Sequence, residues 1–216
     1  MSQLSISNRG HLMPASPIRK LVPYAEAAKK RGIKVDHLNI GQPDIETPAM
    51  VLDAVRHFDF KVLEYSHSAG NESYRRKLVE YYHKVGIDIE YTQIIVTTGG
   101  SEAILFGFMA CLDPGDEVII PEPFYANYNG FAVAAGVNVV PITSYIENGF
   151  ALPPISDIEK SITPKTKAII PVHFAGLSCD MEPIIEIARR HGLKIVEDAA
   201  HALPTTYQGQ LIGALD

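Results

Sequence analysis

The chain has 216 residues, 46% of them hydrophobic and 20% charged, with a formal net charge of −6. That balance fits a soluble globular enzyme or binding protein of one or two domains and argues against nucleic acid as a main partner, because phosphate binding needs a basic surface. Cys111 and Cys179 are far apart and fit buried thiols in a reducing compartment; with no signal-like N-terminus and no run near the ~18 apolar residues of a membrane span, a cytoplasmic protein is expected.

Helical spacing predicts a helix over Pro17–Gly32, closed by Gly32 and kinked or delayed by Pro23. A short strand is expected at His37–Ile40, then a turn-rich stretch, GQPDIETP. Helices follow at Ala49–His57 and Asn71–Lys84. From there strands and helices alternate. The order is strand Ile94–Thr97, helix Ser101–Cys111, strand Glu117–Pro121, helix Phe124–Ala135 and strand Asn138–Pro141. A short helix Ser156–Lys160, strand Lys167–Val172, helix Met181–His191 and strand Leu193–Glu197 complete it. Nearly all-apolar strands in this alternation imply an α/β fold, a mostly parallel sheet with helices on both faces. Ligands in such sheets sit at the carboxyl ends of the strands.

Three features carry chemistry. Thr97-Thr98-Gly99-Gly100-Ser101-Glu102 follows an apolar strand and opens a helix. Glycines allow close backbone approach, and free N–H groups with the helix dipole suit a phosphate. The same residues read equally well as an ordinary strand-to-helix turn capped near Ser101. Asp198 closes the run LKIVED at the end of a buried strand, with His201 three residues on. Burying a carboxylate is costly unless it is paired, and a cationic ring nitrogen would supply the partner. A solvated strand end with a cap is the alternative. Tyr125, after the next strand, suits stacking on a flat cofactor, although a lone aromatic is more often core. His173, Cys179, Asp180, His191 and His201 crowd one region but match no zinc spacing.

On these residues the sequence resembles two groups of pyridoxal-phosphate (PLP) enzymes. Residues 1 to about 170 resemble class I aminotransferases of fold type I, of the bacterial aspartate aminotransferase type, through LNIGQPDIETP, VLEYSHSAGNESYRRKLVEYY, IIVTTGGSEAILFGFMACLDPGDEVIIPEPFYANY and TKAII. Residues from about 168 onward, AIIPVHFAGLSCDMEPIIEIARRHGLKIVEDAAHA, resemble the nucleotide-sugar aminotransferases of the DegT type. The chain thus resembles a hybrid joined near 167–172. The resemblance implies an incomplete fold type I large domain over 46–216 and an N-terminal segment, 1–45, belonging to the small domain. It also implies roles. Gly99, Gly100 and Ser101 would cradle the cofactor phosphate, and Tyr125 would stack on the ring. Asp198 would pair with the ring nitrogen, and His201 would approach the ring hydroxyl. Tyr65 would reach the phosphate of a neighbouring subunit in a homodimer, and Gly41 would lie near the substrate carboxylate.

The departures matter too. His173-Phe174-Ala175-Gly176 stands where class I enzymes carry an Asn-Pro-x-x-x-Pro-Thr-Gly-like loop. The Schiff-base lysine is expected downstream of Asp198; Lys194, inside a strand before Asp198, does not match it. The resemblance therefore implies transfer of an amino group from an aspartate-type amino acid to a 2-oxo acid in a full-length relative. The alternatives are a keto-sugar acceptor, or a catalytically inactive fragment that lacks the lysine.

Overall fold

The computed structural model describes residues 4–215. Its N-terminal region holds helices α1 (Asn8–Leu12), α2 (Val22–Lys30), α3 (Ala49–Arg56) and α4 (Glu72–Lys84). Pro23 sits in the first turn of α2, where its missing N–H costs nothing, so the helix starts late instead of kinking. Asn71 caps α4 by accepting the Ser73 amide at 3.0 Å. Before Arg75 no described side chain is buried. The helix α1 rests on a later helix through Arg9 Nη1, which donates to Ala134 O at 3.2 Å.

The alternating half follows as α5 (Gly99–Cys111), β1 (Glu117–Glu122), α6 (Tyr128–Ala135), β2 (Asn138–Thr143), α7 (Ile155–Lys160), β3 (Thr166–Ile169), α8 (Met181–His191) and β4 (Lys194–Ile195). The strands form a parallel sheet in the order β2-β1-β3-β4. The apolar runs are buried on both faces, as a helix-covered parallel sheet requires. Val118, Ile120, Ala168 and Ile170 pack against Phe108 of α5, Leu112 just after that helix, and Tyr128 and Ala132 from α6. On the other face Ile119 and Ile169 meet Ile158 of α7 and Met181, Ile184 and Ile187 of α8. Each of the valine, leucine, isoleucine, methionine and phenylalanine side chains among them contributes about 1.5–3 kcal/mol by leaving water. A hairpin, β5 (Thr206–Tyr207) and β6 (Gln210–Leu211), turns through Gln208 and Gly209, both at positive φ.

Two expected strands differ from the structure. His37–Ile40 and Ile94–Thr97 are irregular, the second preceded by a 3-10 turn at Tyr91–Gln93. Neither finds a ladder partner among the described residues; the Val96 amide instead donates to Ala69 O at 3.0 Å. The helix expected from Phe124 begins at Tyr128. The strand expected at Leu193–Glu197 pairs as a ladder over Lys194–Ile195 and continues by single bonds, Val196 N–H to Ile169 O at 3.1 Å and Asp198 N–H to Pro171 O at 3.0 Å.

The chain runs outward from β1 to β2, then back past β1 to β3 and on to β4. The reversal lies between β1 and β3, so the crevice beyond their carboxyl ends is where an open α/β sheet binds ligands.

Candidate functional site

Asp198 stands at that end of the sheet, bridged in parallel to Val172. The His173 amide donates to Asp198 O at 3.0 Å, so the strand end is fixed to the segment after β3. Neighbouring residues on an extended strand point to opposite faces. Val196 packs on the α5 and α6 face, and Asp198, two residues on, shares that face. Its Oδ2 accepts a hydrogen bond from the Tyr128 hydroxyl and its Oδ1 accepts the Ala200 amide at 3.0 Å. Burial, reinforced by this carboxylate, pushes the Tyr128 phenol well above its ordinary pKa. Glu197 points to the other face, where its Oε2 lies 2.9 Å from His173 Nε2. The fully buried His173 accepts the Cys179 amide at Nδ1, 3.0 Å away, which leaves the ring proton on Nε2 for Glu197.

The glycine turn reaches the same face from α5. Lys194 Nζ donates to Cys111 O at 2.7 Å, so the last residue of α5 lies at the first residue of β4. Further back along the helix, a Cβ on Gly107 would lie 3.5 Å from Val196 Cγ1. The helix α5 therefore runs antiparallel to β4. From Gly107 to Gly100 it advances about 10 Å. Val196 to Asp198 covers about 7 Å. The N-terminus of α5 thus overhangs the carboxyl end of the strand on the Asp198 side.

That N-terminus leaves two backbone amides open. Gly99 has φ +71°, a conformation that favours glycine, and a Cβ on Gly99 or Gly100 would meet nothing within 4 Å. The Thr98 amide is taken by Glu102 Oε2 at 2.6 Å, and the Gly99 amide by Thr97 O at 2.9 Å. The amides of Gly100 and Ser101 lie in the first turn, where a helix offers no internal acceptor.

Tyr125, half-exposed, follows β1, and its ring centroid lies 6.0 Å from that of Tyr128. Asn127 Nδ2 donates to its hydroxyl at 2.6 Å and restrains the ring. His201 lies on a turn, not on a helix, and stacks against Phe174 with centroids 5.1 Å apart. The structure thus gathers Tyr125, Tyr128, Asp198 and the α5 N-terminus at one end of one sheet face. No described hydrogen bond or ring contact ties Tyr65 or Gly41 to them; both are exposed. Sequence reasoning missed Tyr128 and Asn127. The available signal was the need of a buried carboxylate for a donor, with a tyrosine three residues beyond Tyr125.

The donor set fits pyridoxal phosphate. Unpaired amides suit its phosphate, and an aromatic ring suits its flat pyridine. A carboxylate has about four acceptor positions, so Asp198 keeps room for a ring N–H beyond its two bonds.

Comparison with known proteins gives the same chemistry. Residues 70–216 match the model of the DegT/DnrJ/EryC1/StrS aminotransferase family, so the match crosses the 167–172 stretch. The aspartate aminotransferase of Pyrococcus horikoshii is 35% identical over 201 residues, covering 89% of this chain and 50% of that protein. The spore coat polysaccharide biosynthesis protein SpsC of Bacillus subtilis is 40% identical over 104 residues, 48% of this chain and 26% of that protein. The crystal structure of aspartate aminotransferase from Thermotoga maritima superposes with a TM-score of 0.80 at 28% identity, covering 90% of this chain and 54% of that one. The chain spans about half the length of the aspartate aminotransferases it matches.

Proposed function

Because the chain belongs to the DegT/DnrJ/EryC1/StrS aminotransferase family, we propose that it serves, as part of a full-length enzyme, PLP-dependent transfer of an amino group from an aspartate-type amino acid to a 2-oxo acid. Aminotransferases of fold type I use this cofactor, which supplies an electron sink when bound. The observation that carries the proposal is the anchored Asp198 carboxylate, on the same sheet face as the overhanging N-terminus of α5. In this reading Gly99 shapes the turn, and the amides of Gly100 and Ser101 together with the Ser101 hydroxyl hold the phosphate. Asp198 keeps a proton on the ring nitrogen, and Tyr125 fixes the ring plane. His201 borders the ring hydroxyl, and Gly41 borders the substrate carboxylate. Tyr65 reaches the cofactor of a second copy in a homodimer. Residues 1–45 belong with the small domain and 46–216 with the cofactor-binding domain, and the family character changes near 167–172. The compartment proposed is the cytoplasm; no helix among the described residues is long and apolar enough to cross a membrane.

A second reading, with a nucleotide-linked keto-sugar as acceptor, is supported by the extent of the family match and by the likeness to SpsC. A third, cofactor binding without turnover, is supported by the place of Lys194. Its ammonium is engaged at Cys111 O, at the amino end of β4 and away from Asp198.

The test is titration of the purified chain with PLP. Transfer is then assayed from aspartate to 2-oxoglutarate or to a nucleotide-linked keto-sugar, and cofactor-labelled lysine is trapped with borohydride. The proposal expects saturable binding, weakened roughly tenfold or more by Asp198→Asn, and transfer to 2-oxoglutarate. Transfer to the sugar alone selects the second reading, and binding without transfer or a labelled lysine selects the third. No saturable binding refutes the cofactor assignment.

A further inference from the structure

We infer that Tyr128 is a positioning residue, whose hydroxyl holds the Asp198 carboxylate in the orientation that meets a cofactor ring nitrogen; this rests on the cofactor reading above. Tyr128 opens α6 and is completely buried. Its ring is wedged edge-on against Phe124 and Tyr125, with centroids 5.7 and 6.0 Å away. Phenylalanine would fill that space without burying a polar atom. The hydroxyl is costly to bury unless it is bonded, and its partner is Asp198, 70 residues on.

The two bonds to the carboxylate act at different oxygens. Ala200 N–H donates to Oδ1 at 3.0 Å and the Tyr128 hydroxyl donates to Oδ2, so rotation of the group about its Cβ–Cγ bond would break both. Burial and the carboxylate keep the phenol protonated, which makes it a permanent donor through the neutral pH range. The opposite face of the same strand end is held separately, by Glu197 against His173. The division of labour follows from this geometry. His173 secures the strand, whereas Tyr128 secures one side chain on it.

The test compares affinity for PLP with affinity for its 1-deaza analogue, which carries carbon in place of the ring nitrogen. Fluorescence titration is made on the full chain and on its Tyr128→Phe and Asp198→Asn variants. The wild-type chain should prefer PLP, and Asp198→Asn should abolish the preference. Tyr128→Phe should shrink the preference by roughly fivefold to tenfold while affinity for the analogue changes little. An unchanged preference, or equal weakening toward both ligands, would give Tyr128 a packing role only and overturn the inference while leaving the cofactor reading intact. A wild-type chain with no preference would overturn the role of Asp198 itself, and this inference with it. If Tyr128→Phe does not fold, NMR of the Tyr128 hydroxyl proton in the wild-type chain replaces it. That proton should shift on adding PLP and not the analogue, and an equal response to both overturns the inference.

Discussion

Replacing Gly70 by alanine tests how the start of α4 is fastened to the segment that leads into the Gly99 turn. Gly70 has φ +93°, and a Cβ there would come within 2.6 Å of Val96 Cβ and 2.7 Å of its Cγ2. The two segments are also bonded, through Val96 N–H and Ala69 O at 3.0 Å. Arg75, buried, ties both to the helix by donating to Gly70 O at 3.2 Å and Tyr91 O at 2.9 Å. Two costs follow from the substitution. A side chain in the left-handed region costs roughly 1–2 kcal/mol. Overpacking adds typically about 1–3 kcal/mol, and Val96 Cβ cannot rotate out of the way because it is fixed to the backbone. The sum is about 2–5 kcal/mol. Gly192→Ala is the control, because Gly192 has φ +67° with nothing within 4 Å of its Cβ position, so only the backbone cost of about 1–2 kcal/mol applies. Urea unfolding of the two variants at matched m-values isolates the collision. Gly70→Ala should be the less stable by roughly 1–3 kcal/mol, about 2–12 °C in melting temperature for a chain of this size. Because Val96 lies three residues before Gly99, Gly70→Ala should also weaken binding of PLP. If Gly70→Ala proves no worse than Gly192→Ala, the close packing of residue 70 on residue 96 is wrong.

The raised phenol pKa of Tyr128 makes stability depend on alkaline pH. An unfolded tyrosine titrates near about 10, so above that pH the native state holds a proton that the unfolded state releases. The contribution is therefore complete below about pH 10 and is lost as pH climbs toward the higher native value. Urea midpoints of the wild-type chain should fall from about pH 9 to 11 more steeply than those of Tyr128→Phe, and parallel curves would contradict the assignment. Lys194→Met removes the bond to Cys111 O and should cost about 0.3–1 kcal/mol, as for a cation at a helix C-terminus. Its affinity for PLP should match that of the wild-type chain; a marked loss would place Lys194 at the cofactor end of the sheet, against the geometry.

The sequence was most readable where a residue's partner is local or where burial is forced. The helix over Met181–His191 shows in the spacing of Ile184, Ile187 and Ala188, and Gly192 after it marks the stop. The apolar run around Val118–Ile120, rich in β-branched residues and followed by Pro121, reads as a strand and is buried on both faces. The Gly99–Ser101 turn was visible for the same reason, since two adjacent glycines before an apolar helix mark a backbone kept bare. What stayed hidden depends on partners far along the chain. Ile94–Thr97 is as apolar as the strands that did form, but a strand is defined by a neighbour, and local composition cannot supply one. Tyr128 carries no local signal of its role, because the partner of its hydroxyl, Asp198, lies 70 residues later. Glu197 and Asp198 read as an acidic pair, yet alternation along the strand sends them to different faces and different partners, His173 and Tyr128.

That separation bears on how two family patterns can coexist in one chain. The proposed change of character falls in β3, which is the one strand paired on both sides with strands from opposite halves: Val118 and Ile119 of β1 face Ala168 and Ile169, which in turn face Lys194 and Ile195 of β4. A change of ancestry there is tolerable only if both registers survive, because a one-residue slip would exchange the α5 and α8 faces. Slippage would carry Asp198 to the His173 side and Glu197 to the Tyr128 side. The hydrogen bond between Tyr128, from the front half, and Asp198, from the back half, therefore reports on the junction as well as on the site. Inserting one alanine after Ile195 in a Glu197→Gln background shifts the strand end by that one residue and leaves no carboxylate to take the place of Asp198. It should remove the preference for PLP over its deaza analogue as fully as Asp198→Asn does. Retention of the preference would mean that the carboxylate is not held by the register of β3 and β4.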